Sequence, residues 1–585
     1  MAAVGVHVAR IGLFTTDANG NRIDKNNNGT TINQLKNTKQ EFLIIPGISS
    51  APNSNGYPTI ADYINREAAS GYKVQHLDQS YCITTPMAAG PVGSTGPVGS
   101  TGPIGSTGAT GASITLSPIS YAYTGTLKSP PMFMLAMPTP AQFNGSVNDL
   151  SGKWVQIIKF NDANKYSITS FTFSDLTGIV YGGINQDGWS YLTSISFPAL
   201  TTMTDSSGIN ITNMPLLTSL NFPVLKSIVG SISDYNNATI SSMSYPALEV
   251  VGGGISSATL PALTTYSLPA LTTVYGGFNP TTMAALTSLS IPVLATVGSA
   301  FGPTTMGALT SLSAPALTAV GSNFGPGTMA SLTSLSIPVL ATVGGNFNPS
   351  SMGALTSLSA PALTSIVGNF APATMASLTS VNFPVLATIG GNFSPATMAA
   401  LTSLSFPALT SVGGTFTSAT MASLTSMNFP VLATISSNFA PVTMAALTTM
   451  SFPALTTVGG TFAPATMAAL TSITIASMVR IGTGVSSGSV ISIVSGTGAL
   501  NTFQLPSTLL QIGNGGGNVV ITSAALNQAS VDNILVRLAA LNGTGGTTAF
   551  SSRVVTITGT SSTPSATGLA AKATLVARGC TVTNN

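Results

Sequence analysis

Methionine recurs every 23 residues from Met283 to Met467, and proline keeps the same interval from Pro223 to Pro453. A period of that length means stacked supersecondary units, none of which can bury its apolar face alone. About 15 such units fit between residues 156 and 513. The unit starting at Leu332 shows the pattern. Leu332, Leu335, Ile337, Leu340, Val343, Phe347 and Met352 are apolar columns that recur in the neighbouring units. Leu335 and Ile337 alternate with Ser334 and Ser336, which is strand spacing. Pro338 ends that strand because it has no ladder donor, and Gly344-Gly345 turns the chain.

A finer period overlies the first. Pro292, Pro338, Pro384 and Pro430 precede Val-Leu-Ala-Thr, whereas Pro315, Pro361, Pro407 and Pro453 precede Ala-Leu-Thr. Small and large residues therefore exchange places between adjacent coils, which lets facing side chains interdigitate. The pattern LxxLxxPxLxxVxxxFxxxxM resembles the BspA-like leucine-rich repeats, with Met in place of their Cys. That resemblance covers roughly residues 168–513 and implies one parallel sheet on the concave side. The expected fold class is mainly β: a parallel, leucine-rich-repeat-like solenoid of about 15 coils.

Residues 89–113 follow a different rule. Gly90, Gly93, Gly96, Gly99, Gly102, Gly105, Gly108 and Gly111 occupy every third position. Strict Gly-X-Y resembles collagen, in which three polyproline-II chains wind together only if the crowded axial position has no side chain. A rod of roughly 70 Å and a homotrimer are the expectation, at ~3.1 Å per residue. A flexible linker would have no need of period three.

The flanks look like ordinary folded chain. Residues 1–88 read as a small α/β domain, with strands at Val4–Phe14 and Glu41–Ile45, a helix at Thr59–Ala69, and one or two strands within Tyr72–Thr85. Residues 114–155 are a proline-rich transitional β segment, and a strand is expected at Trp154–Phe160. Residues 514–585 read as an α/β cap: strands at Val519–Ile521 and Arg553–Thr558, a helix starting at Ser530, a helix at Ala566–Arg578 ended by Gly579, and a last strand at Cys580–Thr583. Its charges, including Arg553, are expected at the solvated surface. The segment from Gly568 to Asn585 is similar to the closing segment of repeat proteins of phages and bacteria.

Charge excludes much of the remaining chemistry. Only 5% of the 585 residues are charged, and none between Glu249 and Arg480. Paired catalytic carboxylates and phosphate-gripping basic patches cannot exist in that window. A net charge of +3, scattered along the chain, gives no reason to expect nucleic-acid binding. Mean hydropathy is +0.43, yet Ser, Thr, Gly or Pro interrupts every apolar run before the 18–20 residues or so that a membrane helix needs.

No HExxH or phosphate loop occurs, and no Gly-x-Ser-x-Gly nucleophile elbow stands beside a plausible triad. His7, His76, Asp78 and Cys82 could in principle meet, but ordinary packing and surface roles are the expected reading of them. Cys82 and Cys580 read as free or buried thiols, with an interchain bridge through Cys82 as the alternative. Asp24, Asn26 and Asn28, followed by Gly29, match the first half of a calcium loop, but Leu35 stands where the bidentate Glu belongs. Asx-turn chemistry explains the same residues. No other cofactor is expected.

One polar surface remains. Ser288, Ser311, Ser334, Ser357, Ser380, Ser403 and Ser426 form a column. If it faces outward, it is an uncharged hydroxyl surface. Tolerated solvent-facing residues, a glycan- or protein-binding face, an ice-like template and a chain–chain contact are the alternatives. Together these regimes set the expectation of a non-enzymatic homotrimeric fibre on a phage tail or capsid. Residues 1–88 would attach it to the virion, the rod would space it, and the solenoid would reach the host surface. The alternative is a bacterial cell-surface adhesin or extracellular matrix filament. Such a protein would carry an export signal, and Met1 to Arg10 lacks a basic region ahead of an apolar core.

Overall fold

The computed structural model describes residues 170–585, apart from 174, 175, 205–207 and 495, together with ten short strands before residue 170. The chain forms two compact units, Met1–Thr107 and Gly108–Asn585. The first contains two antiparallel three-stranded sheets. In one, Val6–Ala9 lies between Leu43–Ile45 and Ser80–Ile83; in the other, Gly12–Thr16 lies between Arg22–Asp24 and Lys73–Gln75. The strand expected at Val4–Phe14 is thus two strands in different sheets. The helix expected at Thr59–Ala69 and the Gly-X-Y glycines Gly90 to Gly111 lie outside the described residues.

The second unit is a parallel solenoid of about 17 turns. Its turns exceed the expected 15 because Met132–Leu135 already pairs in parallel with Trp154–Ile158, and that strand with Gly178–Asp187, within residues read as transitional. All seven apolar columns of the unit at Leu332 are buried, none above 9% exposed. They form one continuous core along the stack.

The sheet lies on a different column from the one expected. The Ser-Leu-Ser strands pair only in short runs: Ser311–Ser313 pairs with Ser334–Ser336, but that sheet ends after two strands. The continuous ladder is made by the two-residue strands at Thr-Val, such as Thr342–Val343 pairing with Ala319–Val320 and Ser365–Ile366. A third ladder of single bridges joins successive phenylalanines, Phe301 to Phe324 to Phe347 to Phe370. Each coil therefore has three backbone seams. Two residues suffice for a strand because the neighbouring coils repeat the same geometry above and below.

Side chains reinforce these seams. Thr333 Oγ1 donates to the Thr310 carbonyl one coil earlier at 3.1 Å, and Thr379 repeats this to Thr356 at 3.0 Å. In every second coil another threonine does the same: Thr318 to Ala295, Thr364 to Ala341 and Thr410 to Ala387, at 2.9–3.0 Å. The double-coil period thus has a bonding counterpart, since the alternate coils place Ala where these have Thr.

At the C-terminus the phenylalanine seam widens into a four-stranded parallel sheet: Ser489–Ile493, Asn518–Ala524, Val554–Gly559 and Thr581–Asn584. Helices Gln528–Ala540 and Ala566–Ala577 connect its last three strands. The first helix is capped by Asn527, whose side chain accepts from the Ser530 N–H at 2.8 Å, so Ser530 lies inside the helix rather than starting it. Arg553 is not a surface charge. It is 5% exposed, donates Nη1 to the Ile512 carbonyl, and lies 4.8 Å from the centre of the Phe550 ring. That bond satisfies an orphan acceptor where the Thr-Val ladder ends at Gln511–Ile512. Cys580 is a buried free thiol.

Candidate binding surface

The serine column emerges as one exposed row. Ser288, Ser311, Ser334, Ser357, Ser403 and Ser426 are exposed and Ser380 is half-buried, each flanking a buried apolar residue. The threonine just before each serine faces a different fate. At Thr287, Thr333, Thr379 and Thr402 its hydroxyl donates to the carbonyl of the coil before and so reinforces the stack.

A second row is an asparagine ladder that the periodicity left unread. Asn323 Oδ1 accepts from the Asn346 N–H at 2.8 Å, Asn346 from Asn369 at 2.8 Å, Asn369 from Asn392 at 2.7 Å, and Asn392 from Thr415 at 2.8 Å. The glycine before each asparagine clears the path. A Cβ on Gly368 would sit 2.4 Å from Asn346 Oδ1, and one on Gly391 would sit 2.3 Å from Asn369 Oδ1. These amides are spent on the backbone and leave little for a ligand.

The first described coils differ. Between Ile184 and Tyr235 the phenylalanine seam is replaced by true strands: the end of Gly178–Asp187, then Ile209–Thr212, then Ile232–Tyr235, in parallel register. Asn185, Asn210 and Ser233 form one outward row, and Asp187, Thr212 and Tyr235 the next. Asn210 Nδ2 donates to Asn185 Oδ1 at 3.0 Å; Thr212 Oγ1 and Asn213 Nδ2 donate to Asp187 Oδ1 at 2.9 and 2.7 Å. The face opens into a groove of about 550 Å³ lined by Asn185, Asn210, Ser231, Ser233 and Tyr235.

Beneath it lies a buried polar cluster. Asp234 points inward and is fully buried; Tyr245 Oη donates to its Oδ2 at 3.4 Å, and Ser257 Oγ is 3.2 Å from Tyr266 Oη. Burial raises the Asp234 carboxyl to about 7, against the opposing effect of the Tyr245 and Ser257 hydrogen bonds. Burial also pushes both tyrosines upward, with Asp234 adding to the shift. In the regular coils this column holds proline, at Pro280, Pro303 and Pro326.

No family of proteins matches the chain, and no curated protein matches it. Among solved structures, a leucine-rich repeat protein from Bacteroides ovatus is similar at 14% identity. The alignment covers 64% of this chain and 88% of that one, with a TM-score of 0.30. The solenoid itself is read from the strand pairing of this chain.

The other sequence candidates are placed as follows. His7 stands opposite Cys82 in the antiparallel pairing of Val6–Ala9 with Ser80–Ile83, whereas His76 and Asp78 lie outside the described residues. Asp24 ends the strand Arg22–Asp24, and Asn26 and Asn28 lie outside the described residues. Among the described residues, no three His, Cys, Asp or Glu side chains cluster to hold a metal, and no helix is long and apolar enough to cross a membrane.

Proposed function

We propose that this chain is a non-enzymatic, homotrimeric fibre protein of a virion, with a BspA-like solenoid that carries an adhesive surface to the host. Residues 1–88 attach to the particle, the Gly-X-Y triplets wind three chains together, and the solenoid projects beyond them. The carrying observation is the pairing of eight unbroken triplets with a solenoid whose coils are joined by threonine and asparagine side chains bonded to the backbone of a neighbouring coil. Such a stack is a scaffold without charge between Glu249 and Arg480, and the polar face of its first coils is what it offers a partner.

Mass photometry of the full chain tests the assembly: a trimer is expected, and a monomer at all temperatures overturns it. Immunogold labelling tests the location. Label on virions is expected; label confined to the bacterial envelope replaces this reading with that of a cell-surface adhesin.

A further inference from the structure

We propose that the groove between Asn185 and Tyr235 is a binding site for a neutral glycan, and that it, not the serine row, is the recognition point of the solenoid. The proposal rests on the adhesive reading and names its ligand.

The groove exists because this stretch breaks the repeat. From Phe278 to Phe393 the third seam is made of isolated bridges, with a buried phenylalanine at each step. Here three strands run side by side for four residues, so alternate side chains form an outward grid two deep and three wide. One step is also longer: Asp187 and Thr212, which pair, are 25 residues apart, whereas Thr212 and Tyr235 are 23 apart.

The chemistry of the grid fits a polyhydroxylated, uncharged molecule. Asn210 gives its amide N–H to Asn185, which leaves the Asn210 carbonyl and the Asn185 amide N–H groups without a partner among the described residues. The Ser233 and Tyr235 hydroxyls have none either. Donors and acceptors thus stand together, as vicinal hydroxyls require, since each sugar hydroxyl both gives and accepts. The half-buried Tyr235 ring supplies an amphipathic surface for a sugar C–H face. No Lys or Arg lines the groove, and the Asp187 carboxylate lies on the neighbouring row, so an anionic ligand would be repelled.

The serine row offers less: its members are single short hydroxyls, each beside a buried apolar residue. The buried Asp234, with Tyr245, fixes the strand from behind, so that the outward neighbours Ser233 and Tyr235 are held in place.

The test uses the full chain and an immobilised panel of neutral hexose and N-acetylhexosamine oligosaccharides, with sialylated and sulfated ones for comparison. Retention of a neutral probe is expected, weakened about tenfold or more by Asn185→Ala and by Tyr235→Ala, and unchanged in a Ser334→Ala/Ser357→Ala/Ser380→Ala variant. Asn185 is exposed, so its substitution leaves the fold intact even if Tyr235→Ala does not; Tyr235→Phe, which keeps the ring, should lose less than Tyr235→Ala. The proposal is overturned if no neutral probe is retained, if only the anionic probes bind, or if the serine variant loses binding while Asn185→Ala keeps it. The two readings fail separately. Host-cell binding undiminished by both groove variants overturns the groove and leaves adhesion standing; a monomer that holds a neutral probe through Tyr235 overturns the fibre and leaves the groove.

Discussion

Asp234 sits where its neighbours in register have Pro280 or Pro303, fully buried, with Tyr245 and Ser257 as its hydroxyl partners. Its carboxyl titrates near 7 in the fold but at 3.8 when unfolded. The folded state therefore holds this proton more tightly, and its stabilising contribution is complete below 3.8 and is lost as pH rises towards about 7. Thermal melting should show the first coils weakening over that window, and Asp234→Asn should flatten the pH dependence; a melt that instead strengthens with pH contradicts the assignment. The asparagine ladder gives a second expectation. Asn346→Ala leaves the Asn369 N–H unpaired and should cost about 1–3 kcal/mol in urea denaturation. Gly368→Ala should cost at least as much, because its Cβ would displace the same Asn346 oxygen. Equal stability of the Ala variant and the natural chain would remove the ladder's structural role.

At the scale of the coil, the seven apolar columns were legible because every one of them is buried. The position of the sheet was not. Ser334-Leu335-Ser336 alternates like a strand, whereas Thr342–Val343 is too short to show alternation, yet only the latter pairs without a break through the stack. Nor could the period reveal the groove, since Asn185 and Asn210 occupy coils where the period fails. Their signal was the 25-residue step and the asparagines around it. Phenylalanine packing also varies along the stack. Phe301 stacks on Phe278 and Phe324 alone, while Phe370 stacks on Phe347 and Phe393 and also meets the edges of Phe383 and Phe406. Truncation to Ala costs about 3–5 kcal/mol for a buried phenylalanine. Each further ring pair is worth about 0.5–1.5 kcal/mol. Phe370→Ala should therefore destabilise more than Phe301→Ala in parallel denaturant melts, and the reverse order would show that cavity relaxation outweighs ring contacts.

Across the whole solenoid, the scarcity of charge follows from stacking. Every column repeats about 4.8 Å above itself, so a charge duplicated with its coil would face its like in each neighbour. A charged pair that does stack among the described residues obeys this rule: Lys226 lies 3.8 Å from Glu249, opposite in sign and one coil on. Lys at Ser334, Ser357 and Ser380 together should lower stability by more than the three single changes summed, and the excess should shrink in high salt. Simple additivity would refute the repulsion account.

The three seams have a mechanical meaning as well. Their hydrogen bonds join one coil to the next, so tension drawing the first and last coils apart would load them end to end, one layer after another. Such a stack yields by peeling, not by shearing. Each released coil of 23 residues would add roughly 75–80 Å of slack at ~3.3–3.6 Å per residue, enough to dissipate a tug without parting the chain.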